Sequence, residues 1–346
     1  MIGPAPARTT GPASDAASIT EGAAMSVDKL LSIKTPGQKQ FIGSLAVNRE
    51  ASMWADYWHM SEDMTFFPRE VAMFDDVEAI ARDFVFKGYG PEKPIFGDDS
   101  KLITMGSCFA DRLRRWLLAN TRNAYGIDVP ESLNNSFAVR QFIQWCLTGE
   151  RAEDAYWYEQ GSDKHISRWE SEQEFTFYRR ALTECTGIVV TVGMAEVWRD
   201  KATGGVFWRG VPEKVFEADK HECVLTSVEE NKQNLLKIVE LVHQYCGPKP
   251  IIFTLSPVPL NASFLHKPAI VSDCRSKSVL RVALGEIEDM NLPQVYYWPS
   301  FEIVRWVGSH IAAPTFNADN TPRHVADFAV KLIIDNFIGR FFEPRT

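Results

Sequence analysis

Gly187-Ile188-Val189-Val190-Thr191-Val192-Gly193 constrains the fold more than any other stretch of this chain. It is a continuous, mostly β-branched run bounded by glycines. A half-exposed strand would alternate polar and apolar residues. This one does not, so it predicts a central parallel strand covered on both faces. Pro250-Ile251-Ile252-Phe253-Thr254-Leu255 repeats the pattern, and Val295-Tyr296-Tyr297-Trp298 reads as a last strand. Leu102 to Met105 reads as a first, short buried strand. Helical patterns separate these strands. Strands alternating with helices from Lys101 onward predict a three-layer α/β sandwich with a mostly parallel sheet.

The helices carry their own signals. Phe109, Leu113, Trp116 and Leu117 share one face. Ser136 reads as the N-cap of a helix running to about Leu147. Ser227 with Glu230 forms a capping box ahead of a stripe of Val228, Leu235, Val239 and Val242, and Gly247-Pro248 ends that helix. Ser276-Lys277-Ser278 opens another, with Lys277 read as a solvated helix-start lysine that also has the reach to contact a substrate. A final helix carries Val325, Phe328, Ala329, Leu332 and Ile333 on one face, and His324 begins it. Gly204-Gly205 marks a hairpin excursion between Arg199 and Pro212.

Ahead of the first strand, residues 1–34 are rich in Ala, Pro, Gly, Ser and Thr and read as a disordered leader. Residues 35–100 read as an aromatic-rich extension and linker, with Trp54, Tyr57 and Trp58 at helical spacing and a linking loop over 83–99. The remainder, 101–346, is the expected catalytic domain. A hydrophobic fraction of 45% supports a sizeable core. The net charge of −8 and pI near 5.5, with no basic patch, argue against nucleic acid and anionic membrane as partners. No run reaches a transmembrane length, and the N-terminus lacks a basic start followed by an apolar core. The six cysteines are scattered without a CxxC, as expected of reduced thiols in a cytoplasmic protein.

Chemistry concentrates where the first strand meets its helix. Gly106 supplies a tight turn, and Ser107 follows it at the carboxyl end of the strand, beside the free N–H groups of a helix start. That placement suits a nucleophile whose product is an oxyanion. The same position also suits a plain helix N-cap, a common job for serine. Cys108 is a rival nucleophile or a small core residue. A serine hydroxyl needs a base near neutral pH, and histidine is the usual one. His324 lies after the last strand, where a loop can return to the strand ends, and His310 is the reserve. His324 also reads as an exposed helix-start residue.

Gly106-Ser107-Cys108-Phe109-Ala110 is the signature of the GSCFA family, which this chain resembles from about Lys101 to the C-terminus. Two later landmarks fall in order: Thr191-Val192-Gly193 leading to Trp198, and Thr254-Leu255-Ser256-Pro257-Val258. The family's fold is similar to that of the SGNH (GDSL-like) esterases and acyltransferases. The resemblance implies a flavodoxin-like strand order and acyl-ester chemistry, with water or a sugar hydroxyl as acceptor. It implies Ser107 as nucleophile, His324 as base and Asp319 as its orienting acid, although Asp319 precedes His324 by five positions where the superfamily uses three. Gly126 and Asn135 stand where an oxyanion pocket takes its second part, and Asn135 also reads as a turn residue at a helix entrance. The Gly193 backbone stands in for an asparagine missing at the third. Aromatic residues around the expected cleft fit a carbohydrate-bearing ester. No zinc spacing, Walker loop or dinucleotide fingerprint appears, so no cofactor is expected. The alternative is a non-catalytic carbohydrate- or ligand-binding protein on the same fold.

Overall fold

A computed structural model describes residues 65–345 apart from 107, 121, 127–132, 156–171, 209, 212, 214–215 and 317–320. The leader at 1–34, the Trp54–Trp58 cluster, Ser107 and Asp319 therefore lie outside the described residues. The strands are β1 (Lys101–Gly106), β2 (Asn123–Gly126), β3 (Gly187–Val192), β4 (Glu196–Asp200), β5 (His221–Leu225), β6 (Ile251–Leu255) and β7 (Val295–Tyr297). The main helices are α1 (Cys108–Ala119), α2 (Ser136–Thr148), α3 (Glu172–Glu184), α4 (Val228–Cys246), α5 (Ala269–Asp289), α6 (Ser300–Arg305) and α7 (Asp327–Phe341).

Five strands form one parallel sheet in the order β2-β1-β3-β6-β7. With the antiparallel β4–β5 pair set aside as an excursion, this is the flavodoxin-like order. Every residue of β3 and β6 is buried. Successive side chains point to opposite faces: Ile188, Val190 and Val192 enter the core shared with α2, α4 and α5, while Val189 enters the core shared with α1 and α7. Ile251, Phe253 and Leu255 divide from Ile252 in the same way. An uninterrupted apolar run is what a strand covered on both faces requires, and the fold is the three-layer α/β sandwich it predicted. Among the described residues, no helix is long and apolar enough to cross a membrane.

Residues 71–99 add to the α1–α7 side. Phe74, Ile80, Ala81, Phe86 and Phe96 are buried there. The Phe86 ring stacks on Trp298 with centroids 4.3 Å apart. Residues from Phe67 onward cluster as one compact unit with the sheet.

Several helix boundaries differ from the sequence reading. Asn135, not Ser136, caps α2: its side chain accepts the Ala138 N–H at 2.8 Å, and Ser136 is the first helical residue. The α5 helix starts at Ala269, so Ser276 and Lys277 sit two turns inside it. The α7 helix starts at Asp327, so His324 lies in the preceding turn, and Phe328 is 40% exposed rather than on the core face. The excursion after Arg199 is wider than expected. Gly205 and Phe207 return along β4, through Asp200 N–H to Gly205 C=O at 3.0 Å and Phe207 N–H to Trp198 C=O at 2.9 Å. The full partner of β4 is β5, which begins only at His221.

Candidate active site

Gly106 is the last residue of β1 and lies opposite Thr191 of β3. Its φ is +109°, and a Cβ built there would come within 1.9 Å of the Thr191 carbonyl oxygen. Only glycine meets both conditions. Helix α1 begins at Cys108, which leaves position 107 as the single residue between strand and helix.

The carboxyl ends of β1, β3 and β6 share one edge of the sheet. The connection after β1 leads to the α1 layer, and that after β3 to the opposite layer. Such a switch point is where open parallel sheets bind ligands. A cavity of about 550 Å³ opens there, with Gly106, Asn134, Gly193, Glu196, Trp198 and Ser256 in its wall.

The turn that leaves β3 is tightly fastened. The N–H groups of Gly193 and Met194 both donate to the Asn134 carbonyl, at 2.8 and 3.1 Å. The Gly193 carbonyl accepts from the Lys277 ammonium. The Ala195 N–H donates to the Ser276 hydroxyl at 2.7 Å, and the Ala195 carbonyl accepts from the Thr226 hydroxyl at 2.8 Å. Gly193 therefore reaches the cavity, but its N–H is engaged by Asn134. A Cβ on Gly193 would lie 2.4 Å from the Asn134 Oδ1, so the missing side chain lets the Asn134 amide lie against the turn. That Oδ1 is buried without a hydrogen-bond partner.

Asn135 also lines the cavity, with its oxygen committed to the α2 cap. Gly126 closes β2 in register with Thr104, two residues short of the end of β1. His324 lines a second cavity of about 170 Å³, and Asp111 and Val258 line both cavities. Its neighbour Arg323 lines the larger one and donates to the Pro259 carbonyl from Nε and Nη2. His310 is elsewhere, stacked on Phe74 with ring centroids 4.6 Å apart.

The loop leaving β6 forms the far wall and is pinned from three elements. Ser256 N–H donates to the Val192 carbonyl at 2.8 Å. Arg305 donates to the Pro257 carbonyl at 2.9 Å. Buried Asp273 accepts the Leu260 N–H at 2.9 Å and pairs with Arg305 at 2.6 Å. Further along the same loop, Phe264 meets Trp198 of β4 edge-on with centroids 5.0 Å apart, and both line the cavity. Glu196 is 4% exposed, and its carboxylate accepts from the Ser263 hydroxyl at 3.1 Å. Burial pushes the Glu196 carboxyl above the usual range, against the opposing pull of that hydrogen bond.

Sequence reasoning did not single out Asn134, and it read Lys277 as solvated. Lys277 is 3% exposed, with Asp273 Oδ1 3.9 Å from its ammonium. The only available signal for Asn134 was its place beside Asn135. Among the described residues, no group of three or more His, Cys, Asp or Glu is arranged to hold a metal ion.

Comparison with curated proteins finds no match. Among solved structures, the chain is similar to a GDSL-like lipase from Bacteroides thetaiotaomicron, with 9% identity, a TM-score of 0.37, and 78% of this chain and 96% of that one covered. It is also similar to a salicylyl-acyltransferase from a tetracycline biosynthetic pathway, with 9% identity, a TM-score of 0.35, and 70% and 54% covered. A Geobacillus acetyl-xylooligosaccharide esterase is 10% identical, with a TM-score of 0.32 and 72% and 99% covered. Residues 101–337, which hold every strand of the sheet and the whole wall of the larger cavity, match the model of the GSCFA family, and the chain belongs to that family.

Proposed function

We propose that the protein is a serine-dependent esterase or O-acyltransferase acting on acyl esters. The observation that supports this reading is the Gly106 turn: a glycine-only crossing against Thr191, at the switch-point edge and in the wall of a 550 Å³ cavity, directly before Ser107 in the sequence. His324 lines the second cavity, which shares Asp111 and Val258 with the larger one.

The Ser107 hydroxyl oxygen attacks the ester carbonyl carbon, forming a C–O bond, and His324 takes the hydroxyl proton. Collapse of the tetrahedral intermediate breaks the bond to the alcohol oxygen, and the alcohol leaves with that proton. Water then attacks the acyl carbon with His324 taking its proton; collapse breaks the bond to the Ser107 oxygen, which receives that proton back, and releases the acid. A sugar hydroxyl in place of water yields a new ester. Asp319 is assigned to orient the imidazole.

The oxyanion needs fixed donors. We assign it the Ser107 N–H and an amide N–H from the Asn134–Asn135 pair, since both residues line the cavity and both have their main partners on the oxygen side or on the backbone. Gly193 serves by leaving room for the Asn134 amide. Gly126, at the end of β2, is a backbone donor for a substrate reaching that side.

The alcohol half of the ester is assigned to the Trp198 end, where ring faces suit the C–H face of a sugar and the Glu196 carboxyl with the Ser263 hydroxyl suits its hydroxyls. One observation favours a non-catalytic ligand-binding protein: the Gly193 N–H is spent on Asn134. Hydrolysis of p-nitrophenyl acetate separates the two. The enzyme reading expects turnover that Ser107→Ala reduces by at least a thousandfold. Turnover equal in the wild type and that variant would refute it. Turnover without added sugar marks an esterase, and dependence on the acceptor marks a transferase.

A further inference from the structure

We infer that the smaller cavity, between α1 and α7, is a slot for a short unbranched acyl chain; this rests on the acyl-ester reading of Ser107 and His324. Its floor is apolar, made by Phe109, Val258, Val325, Val330 and Ile333. Its charged wall residues are ion-paired: Arg112 with Asp327 at 2.6 Å, and Arg115 at 2.7 Å with Asp111, which also takes Arg114 at 2.6 Å.

Position decides which part of a substrate enters. His324 is in the slot's own wall, and Asp111 and Val258 line both cavities, so we place them as the ridge between the two. An ester carbonyl lying on that ridge sends its alcohol into the large polar and aromatic cavity. Its acyl chain goes into the small apolar one.

Volume sets the length. The slot has a volume of about 170 Å³, and an apolar cavity of about 150 Å³ accommodates a six-carbon ring. Chains of four to six carbons fill it. An acetyl group leaves most of it empty, and a decanoyl group does not fit.

The test is the chain-length profile of p-nitrophenyl ester hydrolysis from acetate to dodecanoate. Each methylene buried raises kcat/KM about fourfold, so the profile climbs steeply from acetate, peaks at butyrate to hexanoate and falls by decanoate. Val330→Phe fills the slot and lowers the ratio of hexanoate to acetate kcat/KM at least tenfold. Val330→Ala, which has no folding hazard from added bulk, moves the optimum to longer chains. A profile that is flat or still rising at decanoate overturns the slot, as do Val330 variants that change acetate and hexanoate alike. Those results with turnover that depends on Ser107 remove the slot alone. An absence of Ser107-dependent turnover on every ester removes the enzyme reading, and the slot with it.

Discussion

Lys277 holds the β3-exit turn from inside the protein, and its removal has a calculable signature. Burial pulls its ammonium from 10.5 down to about 8, although Asp273 pushes the other way. Each pH unit of that difference is worth about 1.4 kcal/mol, so charging Lys277 in the folded chain costs about 3 kcal/mol relative to the unfolded chain. Between pH 8 and 10.5 the unfolded chain keeps this proton and the native chain does not, so stability rises with pH across that window. Below pH 8 the full cost is present.

Lys277→Met removes the cost and leaves the Gly193 carbonyl without a partner, a loss of about 1–3 kcal/mol. Asp273 keeps Arg305 and the Leu260 N–H. The two effects nearly offset at pH 7, so the variant should lie within about 2 kcal/mol of the wild type there. By pH 10 the wild type should have gained about 3 kcal/mol on the variant. Urea unfolding of both proteins at pH 7, 8, 9 and 10 measures this. Parallel stability curves would refute the buried, charge-penalised lysine, and so would a loss well above 3 kcal/mol at pH 7.

Gly106→Ala should lower stability by at least about 3 kcal/mol, since the new methyl group meets the Thr191 carbonyl at a φ that disfavours it; a thermal melt close to wild type would contradict this. Asn135→Ala should cost about 1 kcal/mol through loss of the α2 cap, seen as a small downward shift in Tm. Glu196→Gln removes a carboxyl that burial holds protonated above its ordinary range. A raised carboxyl contributes stability below its unfolded pKa and loses that contribution as pH rises, so the variant should gain more over wild type at pH 7.5 than at pH 4. Denaturant midpoints at the two pH values would show the reverse if the carboxyl were instead stabilised as an anion.

What the sequence made legible was local. The apolar run of β3, the Gly106 turn and the Ser227–Glu230 box all stand in the structure, because each is set by a few adjacent residues. Asn134-Asn135-Ser136 offers three residues that all suit a cap, and only the packed helix shows that Asn135 takes the role. Ser276 and Lys277 read as a helix start because both are polar. They are instead turned inward to bind a turn some 80 residues away in the chain. That burial depends on β3, on Asp273 and on the loop after β6 together, which no local pattern encodes. The cavity wall likewise draws on residues from Gly106 to Arg323.

Active-site labelling is the most direct test of the central claim. The protein is treated with a fluorophosphonate at neutral pH, and the adduct is located by peptide mass. One adduct is expected on Ser107, absent in Ser107→Ala and formed at least a hundredfold more slowly in His324→Ala. A folded wild-type protein that takes no label, or takes it on another residue, would contradict it.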